Sequence, residues 1–145
     1  MPFRFSLAAV LRLRESVVRR EYLALEKVLQ QIAQLETEAA RLAQQDEAQA
    51  KARAVELARG TPAYHLQCLG ECERELQRRK DALASKRKEM ELKRQQQQQA
   101  YDQARQKHEL LQGMRQRQLE TYQRDAARRE QKNQDDLFLA RKSSE

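Results

Sequence analysis

The stretch Arg59-Gly60-Thr61-Pro62 is the one strong punctuation mark in a chain of 145 residues. Glycine suits the left-handed residue that closes a helix, threonine is a good N-cap, and proline fits the first position of a following helix. Inside a continuous helix Pro62 would cost ~3 kcal/mol, so the segment reads as a turn between two helices. Gly70 and Gly113 have no such company and read as tolerated helix residues, at ~1 kcal/mol each. The expectation is helix one over about 6–58, a turn at 59–62, helix two over about 62–139 and a short tail at 140–145.

On both sides of the turn the apolar residues recur at helical spacing. In helix one Leu25, Val28, Ile32, Leu35, Ala39 and Leu42 alternate steps of three and four. The frame extends back through Val18, Leu11 and Leu7, with Arg14 and Glu21 as polar exceptions. This is the a/d seam of a left-handed coiled coil. In helix two Leu69, Leu76, Leu83, Met90, Ala104 and Leu111 share one heptad position. Its second seam position reads as Cys72, Arg79, Lys86 and Lys93, and the run from Gln95 to Gln99 reads as helical but as a break in the seam.

A short turn between two such helices predicts an all-α fold, a single antiparallel coiled-coil hairpin whose second helix is longer. Facing residues should have numbers summing to about 121. Helix two then overruns helix one by about twenty residues, starting near Leu119, at ~1.5 Å per residue in both helices. That overhang holds Leu119, Tyr122, Leu137 and Phe138 with no partner inside the chain, and an uncovered apolar stripe marks an interaction surface.

Composition agrees. Charged residues make up 35% of the chain, mean hydropathy is −1.02, and there is no Trp, with only three Gly and two Pro. So little branched and aromatic mass borders on disorder unless it is periodic, and it excludes an α/β or β-rich enzyme domain. No apolar stretch approaches the ~20 residues of a spanning helix. Arg12 and Arg14 interrupt the opening before a signal-peptide core can form, so the start is read as mature structure. Two cysteines make no disulfide framework, which suits the cytosol.

Few residues offer chemistry. No Gly-rich phosphate loop is present, and a long hairpin provides no concave pocket for a catalytic set. No enzyme activity and no cofactor are expected. His65, Cys68 and Cys72 share a helix face, and imidazole with two thiolates suits zinc, but a structural site needs a fourth ligand. The alternative is that Cys68 and Cys72 are small seam residues beside the turn. The net charge is +7. Residues 1–20 carry five Lys/Arg against one acid, and residues 105–132 carry eight against four; the hairpin brings these together. Such a footprint admits nucleic acid, RNA or the ribosome, although stacking aromatics are few. It equally admits an electronegative protein socket.

Both chain ends carry motifs. Phe3-Arg4-Phe5-Ser6-Leu7-Ala8-Ala9-Val10-Leu11-Arg12-Leu13-Arg14-Glu15 resembles the F-x-F-x-L-x-x-V-L-x-x-R opening of the FliJ family of flagellar export proteins. Arg129-Glu130-Gln131-Lys132-Asn133-Gln134-Asp135-Asp136 resembles that family's closing segment, with Asp136 in place of Glu. The resemblance implies a non-enzymatic stalk and chaperone component of flagellar type III export, similar in architecture to the central stalk of rotary ATPases. It further implies three partners: the hexameric export ATPase, the cytoplasmic domain of the export-gate membrane protein, and export chaperones. The location would be cytoplasmic, at the inner face of the inner membrane. An injectisome stalk shares this architecture, and the Phe-x-Phe opening favours the flagellar version. The partner-binding residues expected on this reading are Phe3, Phe5, Leu7, Leu11, Arg14, Leu119, Tyr122, Arg124, Arg128, Arg129, Leu137 and Phe138. No metal and no nucleic acid is expected to bind.

Overall fold

A computed structural model describes residues 2–145. It contains two helices, α1 (Ala8–Arg59) and the longer α2 (Ala63–Ser143), packed against each other, with no strand among the described residues. Gly60 adopts φ 77° and donates its N–H to Leu57 O at 3.3 Å, closing α1 as the sequence suggests. Thr61 plays a different part from the one expected. Its hydroxyl donates to Glu56 O at 2.6 Å, so it satisfies a carbonyl of the helix before it. Pro62 O accepts from His65 and Leu66, making Pro62 the cap and Ala63 the first residue of α2.

The other helix ends also differ from expectation. Residues 2–7 are not helical, and α1 starts at Ala8, whose N–H bonds Phe5 O at 3.1 Å. At the far end α2 runs through the expected tail to Ser143. Ala140, Arg141 and Lys142 are good helix formers, and the two cations complement the helix dipole at its last turn. The hydroxyls of Ser143 and Ser144 donate to Ala140 O and close the end.

The chain forms two compact units, one comprising Tyr22–Ala100 and the other the residues up to Glu21 with Tyr101–Glu145. In the first, Leu25 and Leu35 of α1 and Leu76 and Met90 of α2 are buried, with Val28, Ile32, Ala39, Leu42 and Leu83 half-buried between them. The α1 seam is the one read from the sequence. The second α2 seam position is not. Cys72, Arg79, Lys86 and Lys93 are exposed; Glu73, Lys80 and Arg94 are half-buried on that line instead, with Arg87 exposed at its edge. The reason is reach across the hairpin: Arg53 donates to Glu73, Lys80 to Asp46, and Arg87 to Glu36 at 3.2 Å. A seam position filled by a long charged side chain lies at the edge of the contact, where its tip finds an opposite charge. Gln97 and Gln98 are half-buried, so the glutamine run carries the seam onward and does not break it.

Facing partners also sit further along α2 than a sum of 121 allows. Arg53 meets Glu73 where that rule gives Cys68, and Asp46 meets Lys80 where it gives Glu75. Helical side chains lean toward their own N-terminus. In an antiparallel pair both tips therefore lean past their own Cα level, and each shift raises the sum.

Candidate functional site

The unit holding both chain ends contains all twelve residues expected to bind partners. Ala104 and Phe5 are its buried residues, and Leu7, Leu11, Arg14 and Val18 of α1 are half-buried along the seam. His108 Nε2 lies 3.5 Å from Glu15 Oε1 across the pair. Arg105 stands 5.8 Å over the Tyr101 ring and 3.4 Å from Glu109. A hydrogen bond with Tyr101, then the charge of Glu109, holds its guanidinium above the usual arginine range.

The non-helical opening folds back over α2. Phe3 meets Tyr122 with ring centroids 5.6 Å apart and planes tilted by 50°. Phe3 is half-buried, as are Leu119 and Tyr122. This corrects the expectation that Leu119 and Tyr122 lack partners in the chain. Extended residues advance ~3.3 Å each against ~1.5 Å in a helix, so residues 2–7 cover more of α2 than their number suggests. The alternation of Phe3, Phe5 and Leu7 at every second position was the available signal for an extended segment.

The uncovered part of α2 begins after Asp125. Every residue from Ala126 onward is exposed, including Arg128 and Arg129, and Leu137, Phe138 and Leu139 are 62%, 66% and 60% exposed. Arg124 is exposed too, 3.9 Å from Glu120. The unit carries fifteen Lys/Arg against ten Asp/Glu, while residues 22–100 carry fourteen against twelve. Positive excess is therefore concentrated beside the uncovered helix.

Near the turn, His65 Nε2 lies 2.7 Å from Glu56 Oε2, an oxygen shielded from water. Cys68 and Cys72 are free, exposed thiols, which corrects the reading that placed them in the seam. Glu73, one residue further along, takes the place of Cys72, while Leu69 is half-buried at the seam position expected of it. Among the described residues no three His, Cys, Asp or Glu side chains converge as a metal site would require, and no helix is long and apolar enough to cross a membrane.

Set against known proteins, residues 3–144 match the family model described as Flagellar FliJ protein. No curated protein and no solved structure gives a match.

Proposed function

The chain belongs to the FliJ family, and from that premise we propose that this flagellar export-related coiled coil is a non-enzymatic stalk that engages the hexameric export ATPase. Its contact is the unit bearing both chain ends. The observation that carries this reading is the exposed helix from Ala126 to Ser143, which follows a covered seam and lies in the more basic unit. Arg124, Arg128 and Arg129 steer the helix toward an electronegative socket, since surface charge speeds encounter more than it strengthens the final complex. Leu137 and Phe138 supply the apolar contact. Phe3, Phe5, Leu7, Leu11 and Arg14 act indirectly by fixing where the covered part ends. The cytoplasmic domain of the export-gate membrane protein and the export chaperones are further partners on this reading. They place the protein at the cytoplasmic face of the inner membrane, where its role includes handling chaperones.

Binding of the full chain to the purified export ATPase, compared with binding to generic RNA over a range of salt, tests the proposal. Saturable ATPase binding, with RNA binding that is weak and lost steeply as salt rises, supports it. Tight RNA binding with no ATPase binding overturns it in favour of a nucleic-acid role.

A further inference from the structure

One flank of the terminal unit carries an apolar patch that the helix pair leaves open. Val10 and Met114 are each 38% exposed, Leu13 61% and Leu110 67%, and Val17 is half-buried beside them. Isolated exposed hydrophobes are ordinary, but these share a side. Val10 and Val17 each directly precede an α1 seam residue, and Met114 and Leu110 hold the matching flank positions of α2. The heptad-equivalent residues of the other unit show that these positions share one side. There Glu38, Arg41 and Gln45 line a single groove with Arg79, Ala82 and Lys86. In the terminal unit the Phe3–Tyr122 and Glu15–His108 pairs bracket the patch. In that register Val10 lies level with Met114, and Leu13 with Leu110.

The opposite flank has nothing comparable. It presents Arg12, Glu15 and Arg19 of α1 and Arg105, Gln112 and Gln116 of α2. The apolar flank is rimmed by Arg20, Lys107 and Arg117, which outnumber Glu109, the acid that lines a hollow beside Leu110 with Gly113 and Arg117.

We propose that this flank is the docking groove for an amphipathic helix of another protein, one whose apolar stripe is bordered by Asp and Glu. A third helix is the natural cover for a two-helix seam with an apolar shoulder, and the basic rim selects acidic borders. A second copy of this chain is the poorer occupant. An isologous contact would press the basic rim of one copy, Arg20, Lys107 and Arg117, against the same basic rim of the other, and like charges in a contact oppose it. The inference goes beyond the stalk reading and does not rest on it, because the uncovered helix after Asp125 takes no part.

The test uses the full chain and a fluorescent four-heptad peptide with Leu at both seam positions and Glu at the flanking ones. The same peptide with Lys in place of Glu serves as control. Anisotropy titration should show saturable binding of the acidic peptide and none of the basic one. Leu13→Gln with Leu110→Gln should weaken binding roughly tenfold or more, as removal of central apolar anchors does. Both side chains are exposed and Gln is a fair helix former, so helicity should not change. Gln112→Glu with Gln116→Glu, on the other flank, should leave binding as it was. Equal binding of both peptides, or undiminished binding by the Leu13/Leu110 variant, overturns the proposal. So does a wild-type dimer in light scattering that the same variant turns to monomer, because a second copy then fills the groove.

Discussion

The Phe3 ring lies 5.6 Å from the Tyr122 ring, at the point where the non-helical opening of the chain ends its course over α2. That contact sets the boundary between the covered and the open parts of α2. Tilted aromatic pairs contribute ~0.5–1.5 kcal/mol beyond the area they bury. Phe3→Ala and Tyr122→Ala should each lower the thermal midpoint, and the double variant should lose less than the sum of the two. A double-mutant cycle by chemical denaturation measures that coupling. Additive losses would mean that the rings do not meet.

Gly60 is the one described residue with φ in the left-handed region. No atom lies within 4 Å of where its Cβ would be, so Gly60→Ala meets no steric neighbour. The cost should come from the backbone alone, at ~1–2 kcal/mol. Thr61→Val keeps the shape but removes the bond to Glu56 O, and should cost about 1 kcal/mol. Melting followed by circular dichroism resolves both. A tolerated Gly60→Ala would contradict the turn geometry.

The corrected seam separates neighbouring residues by their effect. Leu76 is buried and Cys72 is exposed, although both were expected to face α1. Leu76→Ala should destabilise by roughly 2–3 kcal/mol, at the low end of buried leucine losses because a two-helix seam encloses each side chain only in part. Cys72→Ala should change stability little. Comparable losses at both sites would restore the register in which Cys72 lies in the seam.

Arg94 donates two hydrogen bonds to Glu91 Oε1, at 2.8 and 2.6 Å. Those bonds hold the Glu91 carboxyl below its ordinary value of 4.5; burial opposes them, and the charges of Arg94 and Arg87 add to the lowering. A carboxyl lowered by folding adds stability that is present above its unfolded pKa and is lost as pH falls through the folded one. Arg94→Gln should return the Glu91 pKa toward the ordinary value, as followed by NMR titration of the side-chain carboxyl. An unchanged titration curve would show that the pair does not form in solution.

The fold was legible because its strongest signals are local. Gly60 and Pro62 mark the break, and the run from Leu25 to Leu42 spells one seam without interruption. The α2 seam was less legible, since a line made of Glu73, Lys80, Arg87 and Arg94 carries no apolar signal. Its identity depends on Arg53, Asp46 and Glu36 waiting on the other helix. Thr61 misled for a related reason: a threonine between two helices can cap either, and the choice is made in three dimensions. The candidate site was half legible. Arg128, Arg129, Leu137 and Phe138 are as open as their sequence neighbours suggest, whereas Leu119 and Tyr122 are covered by residues more than a hundred positions away.

The most direct measurement is the affinity and association rate of the full chain for the hexameric export ATPase, with charge reversed at Arg124, Arg128 and Arg129. These side chains are exposed, so helicity should hold while binding weakens and association slows, more so at low salt. Truncation from Leu137 onward should weaken binding further by removing the apolar contact. Cys68→Ser with Cys72→Ser, beside the turn, should leave binding unchanged. If the turn substitutions abolish ATPase binding while the arginine reversals leave it intact, the terminal unit is not the contact and the assignment of the stalk end is wrong.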